Sequence, residues 1–248
     1  MSYSNGPKMI TDGLVLYLDA ANPRSYINGN SVWNDLSNNG NNGTLTNGPT
    51  YNTGSKGSIV FDGVDDYVSN GTFGYSPETS GELSLEAWVY PTGPFTSYTA
   101  EPPIINIGGI FGQSYFSGTT GWGLGVVVRS DYGNCWAFQV RNGGTVVEAI
   151  GTSSPFTTGS WYHLVGSFTR NDLSRLYMNG NLIASSSSSP LNGVSITPQN
   201  SNAALGASTS YGPFQFGGRI ATAKLYNRPL TATEVKQNYN ASKGRYIL

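Results

Sequence analysis

Three carboxylates fall within five residues of one another, Asp62, Asp65 and Asp66, inside the segment Gly57–Val68, GSIVFDGVDDYV. Acids at this density suit a hard cation, a substrate, or the turn of a hairpin. Ile59 and Phe61 alternate with their neighbours, as in a strand with one buried face. Asp62-Gly63 is a turn signal, because glycine takes positive φ freely and aspartate bonds its own local backbone. Read as part of the following strand, Asp65 and Asp66 face opposite sides, which argues against a catalytic pair. Glu82 and Glu86 form a second candidate pair. On a strand they share a side, but four residues at about 3.4 Å each set their backbones about 14 Å apart. Glycosidase carboxylates stand roughly 5–10 Å apart. His163, the single histidine, sits in WYHLVGSF without an evident catalytic partner, so a structural, hydrogen-bonded histidine is expected. Cys135 opens CWAFQV and reads as a small buried hydrophobe.

These groups need a scaffold, and the composition describes one. The chain has 248 residues with 33 Gly, 16 Tyr and only 11% charged residues, and Ser, Thr and Asn fill the gaps between short apolar runs. Such a pattern means many strands joined by polar loops. The formal net charge is −1 with no basic face, so nucleic acid is excluded as an expected ligand. No run reaches the roughly 18 apolar residues of a membrane span. MSYSNGPKMI lacks the layout of a secretory signal, and one cysteine cannot form an internal disulfide. A protein made in a cytosol is expected.

Alternation predicts strands over Leu14–Asp19, Leu83–Tyr90 (Leu83, Leu85, Ala87 and Val89 on one face), Trp122–Arg129, Cys135–Arg141, Thr145–Ile150, Ser160–Phe168, Arg175–Met178, Asn181–Ala184 and Gly218–Tyr226. Asn34–Gly48 reads as an Asn/Gly-rich stretch and Pro94–Gly121 as a long irregular connection. Asn179-Gly180 is the dipeptide of a type I′ hairpin. Thr231 and Glu234 spell a capping box with Leu230 and Val235 as its hydrophobic staple, which predicts one C-terminal helix docked on the sandwich through Val235 and Tyr239. The fold class is all-β: a two-sheet antiparallel sandwich with one short helix.

Gly13–Tyr26, Trp33–Tyr51, Gly57–Val68, Leu85–Pro91, Trp161–Phe168, Leu176–Ala184 and Gly218–Tyr239 occur in an order that resembles the laminin-G-like, concanavalin A-like jelly-roll domains. LDAANPRSY near the start and KLYNRPLTATEVKQNYNASKGRY at the end look most like versions in virion proteins of tailed bacteriophages. The resemblance spans roughly Asp12 to Tyr246 and implies the fold more strongly than the function. It also implies a structural calcium, with Asp35, Asn38, Asn41 and Asp62 as ligands beside backbone carbonyls. Against this, relatives often carry an acid just after Gly-Arg-Ile, where this chain has Ala221 and Thr222. The two Glu around an Asp that related glucanases place on one strand do not occur.

The expected layout is an N-terminal arm over 1–11, a jelly-roll domain over 12–241 and a tail over 242–248. Tyr98, Tyr115, Phe116, Tyr211 and Phe214, set among Gly, Ser and Thr in two loops, are candidate glycan- or partner-binding residues. The arm and the apolar end Tyr246, Ile247 and Leu248 are candidate docking elements. These features together lead to a non-enzymatic structural component of a phage virion: an exposed decoration or adhesion module, oligomeric on the particle. Its partners are expected to be capsid or tail proteins and cell-surface carbohydrate, without nucleic acid or membrane insertion. A lectin domain of a tail fibre and a polysaccharide-cleaving glycoside hydrolase are the alternatives.

Overall fold

The computed structural model describes residues 7–69, 81–93, 106–113, 121–129, 133–142, 145–170, 172–187, 203–207 and 215–246. Among these residues sixteen strands run in chain order: β1 Leu14–Asp19, β2 Val32–Trp33, β3 Gly43–Thr46, β4 Thr50–Asn52, β5 Ser58–Asp62, β6 Tyr67–Ser69, β7 Leu83–Pro91, β8 Asn106–Gln113, β9 Gly121–Arg129, β10 Gly133–Asn142, β11 Thr145–Ile150, β12 Tyr162–Phe168, β13 Arg175–Met178, β14 Asn181–Ser185, β15 Ala203–Leu205 and β16 Gly217–Tyr226. One helix, α1, covers Ala232–Ser242. The first sheet has the order β14-β13-β12-β7-β16-β5-β4, with β1 also paired to β16. The second has the order β11-β10-β9-β8-β15-β6-β3-β2, and every pairing in both is antiparallel.

The inward residues of the two sheets form one core. Leu83, Leu85, Ala87 and Val89 of β7 meet Trp122, Leu124 and Val126 of β9 and Trp136, Phe138 and Val140 of β10 in it. Trp136 stacks on Phe156 at a centroid distance of 3.8 Å. Burying a side chain of this size contributes about 1.5–3 kcal/mol, so the alternation alone brings the sheets face to face.

Three expectations change. The stretch 94–121 contains a full strand, β8, in the middle of the second sheet. Three of its eight residues are glycine, which removes the β-branched signal that alternation depends on. The Asp62–Asp66 turn does not close a hairpin: β5 lies in the first sheet and β6 in the second, so the turn carries the chain across the sandwich edge. Asp65 and Asp66 precede β6 and so are not held to opposite faces by strand geometry.

The described parts of the arm and tail fold back on the domain. Ile10 N donates to Asn238 Oδ1 (2.8 Å), and Gln237 Nε2 donates to Lys8 O (2.7 Å). Tyr246 is 8% exposed and stacks on Trp88 at 4.2 Å, so its ring is used internally and is not free for docking. Ile247 and Leu248 lie outside the described residues.

Candidate functional site

Alternation in β7 turns Glu86 and Trp88 to the outer side of the first sheet, opposite Leu85 and Ala87. Register sets Glu86 against Lys224 of β16 and Val165 of β12, and sets His163 against Trp88. Helix α1 lies over this patch and delivers Asn238. The Glu86 carboxylate accepts from Lys224 Nζ (2.6 Å), His163 Nε2 (3.1 Å) and Asn238 Nδ2 (2.6 Å), all in a buried setting. Burial opposes the charge, but Lys224 and His163 overcome it and hold the carboxyl well below the usual carboxylate range. A group so held cannot act as a general acid near neutral pH, and no substrate reaches it. Glu82 accepts instead from Arg170 N (3.3 Å), so the two glutamates have separate partners and are not a catalytic pair. His163 is hydrogen-bonded and buried, as the sequence reading expects.

At the sandwich edge, Asp62, Asp65 and Asp66 each place a carboxylate oxygen within 4.8 Å of the others. Asp62 Oδ1 accepts from Val64 N (2.7 Å) and Asp65 N (3.3 Å), while Asp66 Oδ2 accepts from Asp62 N (3.0 Å). Burial raises the Asp66 pKa against that N–H, and the charges of Asp62 and Asp65 raise it further. One oxygen from each carboxylate converges with the others, and carboxylate oxygens are the donors calcium takes. Asp35 is placed differently. Its carboxylate accepts from Tyr17 N (2.9 Å), Ser37 N (2.8 Å), Ser37 Oγ (2.6 Å) and Asn41 N (3.0 Å), which makes it the organiser of its own loop. Asn41 Nδ2 donates to Val15 O (2.9 Å), and Asn38 takes a left-handed φ of 71°. The acidic cluster that could hold an ion therefore unites Asp62 with Asp65 and Asp66, and Asp35 is not part of it.

The outer face of the second sheet has a different character. Register aligns Glu148 of β11, Gln139 of β10, Gly123 of β9, Gly112 of β8, Ala204 of β15, Ser69 of β6 and Thr44 of β3 in one cross-strand row. A neighbouring row runs Ala137, Gly125, Gly109. Gly112, Gly123, Gly125 and Ala204 carry nothing larger than a methyl on this face, and all four are buried, as are Ala137 and Gln139. From Gln139 to Ser69 the row crosses four strand spacings, about 19 Å at roughly 4.8 Å each. Gln139 Nε2 donates to Glu148 Oε2 (2.7 Å) while its Oε1 has no partner. Tyr67, Ser69 and Glu148 are half-buried. Among the described residues, Glu148 is the only acid in the strands of this sheet.

Tyr98, Tyr115, Phe116, Tyr211 and Phe214 lie outside the described residues. The row of small residues escaped the sequence reading because pairing between separate strands assembles it. One signal was present: Gly121, Gly123 and Gly125 alternate with Trp122, Leu124 and Val126, so the second face of the strand begins with three glycines.

Residues 61–236 match the family described as the concanavalin A-like lectin/glucanases superfamily. A search of curated protein sequences found no match. Among solved structures, domain 4 of an extracellular arabinanase from Geobacillus stearothermophilus, in complex with arabinotriose, superposes with a TM-score of 0.65 at 21% identity, covering 91% of this chain and 98% of that one. The binding domain of Paraclostridial Mosquitocidal Protein 1 gives 0.63 at 16%, covering 93% and 52%. Trypanosoma rangeli sialidase gives 0.64 at 18%, covering 98% of this chain but only 35% of the sialidase. At these identities the likeness is one of fold.

Proposed function

Since the chain belongs to the concanavalin A-like lectin/glucanase superfamily, we propose that it is a non-catalytic adhesion module that binds saccharide. The observation that carries this reading is the likeness of its fold, over 91% of the chain, to an arabinanase domain solved in complex with arabinotriose. Glycoside cleavage needs two carboxylates across the scissile bond, and Glu82 and Glu86, the pair that the sequence offers, have separate partners and do not form one.

A glycan array followed by calorimetry tests the reading. One or more oligosaccharides bind, and no reducing ends are released. Release of product, abolished by neutralising one acid, overturns the non-catalytic reading, and an array without binders overturns the adhesion reading. We further propose that the module rides on a tailed-phage particle, as the phrasing of the two ends of the domain supports. Mass spectrometry and immunogold imaging of purified particles check this, and absence of the chain from the particle overturns it.

A further inference from the structure

On the outer side of the first sheet, two cavities of about 350 and 330 Å³ adjoin along β1, each lined by Met9 and Tyr17. Their combined size is within the range of small-molecule sites, roughly 300–1,000 Å³. Their charge is lopsided. Lys56, Lys224 and Arg245 line the larger with Asp19, and Arg24 lines the smaller, in a chain whose 13 bases are outnumbered by 14 acids. Arg245 binds Asp19 (2.6 Å) and Lys224 binds Glu86 (2.6 Å). Lys56 and Arg24 are exposed and have no salt-bridge partner among the described residues.

Lys56 is also held in place. Ser55 and Lys56 both take left-handed backbone angles, φ 51° and 68°, which non-glycine residues keep only when their surroundings enforce them. Here Arg245 enforces them, donating from Nε to Ser55 O (3.0 Å) and from Nη2 to Gly57 O (2.9 Å), and Trp161 Nε1 donates to Ser55 Oγ (2.9 Å). Inside the larger cavity, Thr222 and Tyr246 are 5% and 8% exposed, and their hydroxyls lie against each other: burial opposes the ionised form of Tyr246, while Thr222 is near enough to favour it. A pair of hydroxyls on a cavity wall keeps spare donor and acceptor capacity for an ordered water or a ligand.

We propose that this cleft is a second binding site, for an acidic saccharide: its carboxylates meet Lys56 and Arg24, its hydroxyls meet Thr222 Oγ1 and the Tyr246 hydroxyl, and Tyr17 lies between. Together the cavities are larger than a lone inorganic anion, and their walls offer hydroxyls as well as cations. The site lies on the first sheet, whereas Glu148 belongs to the second.

Calorimetric titration of the full chain at low salt, with trigalacturonate, its uncharged methyl ester and inorganic phosphate, tests it. The acid binds, the ester binds at least tenfold more weakly, and added salt weakens the acid. Lys56→Glu with Arg24→Glu lowers affinity for the acid at least tenfold, Thr222→Val lowers it several-fold, and Glu148→Ala leaves it unchanged. Lys56 and Arg24 are exposed, so a melting curve confirms that the variant is folded. No binding of the acid, equal binding of acid and ester, loss on Glu148→Ala, or phosphate binding as tightly as the acid each overturns the proposal.

Discussion

Glu86 is ionised where ionisation is expensive, and its neighbours make that state stable. Removing one member of a buried, hydrogen-bonded ion pair leaves the other uncompensated, which costs about 3–5 kcal/mol. Glu86→Gln therefore destabilises the protein by that order in urea unfolding, with Lys224 stranded at 4% side-chain exposure. The pH dependence follows from the sign of the shift. The folded value lies below the ordinary 4.5, so the stabilisation is complete above the unfolded value and is lost as pH falls below it toward the folded one. Melting temperature declines in acid below about pH 4.5, and the decline is shallower in Glu86→Gln. The three aspartates at the sandwich edge repel one another, and either a proton on Asp66 or a bound cation relieves the repulsion. We propose that they hold a structural calcium. A chelator then lowers the melting temperature of the wild type and not of Asp65→Asn, because a ligand bound only to the folded state stabilises it. Identical melting with and without chelator overturns this.

Among the elements, α1 depends on its first turn. Thr231 Oγ1 accepts from Glu234 N (3.3 Å), and Glu234 Oε2 accepts from Thr231 N (2.9 Å). Arg228 grips the same carboxylate at 2.7 and 3.1 Å, and the Glu234 pKa is drawn down to about 2, first by Arg228 and, against some burial, by Thr231. Leu230 and Val235 pack with Val165 and Tyr177 beneath, as a staple should. Thr231→Ala removes one half of the box and destabilises by about 0.5–2 kcal/mol, measured by denaturant midpoint at constant slope. The sequence made this helix legible because every signal is local. The same holds for β13 and β14, where Asn179 and Gly180 take φ of 52° and 75° and close the I′ turn. Strand β8 was illegible for the opposite reason: its identity rests on pairing with β9 and β15, and its own residues carry little preference.

The whole molecule is a sandwich with a lid, and the lid covers charge as well as apolar surface. Helix α1 seals Glu86, His163 and Lys224 and covers Val165, Tyr177 and Tyr226, while the tail adds Tyr246 against Trp88 and Trp161. A chain ending at Leu230 exposes all of these. It is expected to bind a hydrophobic dye and aggregate at concentrations where the full chain stays monodisperse, and dye-silent, cooperative melting of the truncated chain overturns that expectation.

The sequence alone determined the strand faces, the capped helix, the I′ turn and the fold class, because those follow from the period of side chains along a strand or turn and from bonds between near neighbours. It also placed three aspartates within five residues. Only the tertiary structure decided that their turn links two sheets, that their carboxylates converge, and that Glu86 is a sealed ion pair. It alone brought glycines and an alanine from separate strands into one cross-strand row. The physical reason is that burial and carboxylate partnership belong to pairings across the sandwich, which no local period encodes.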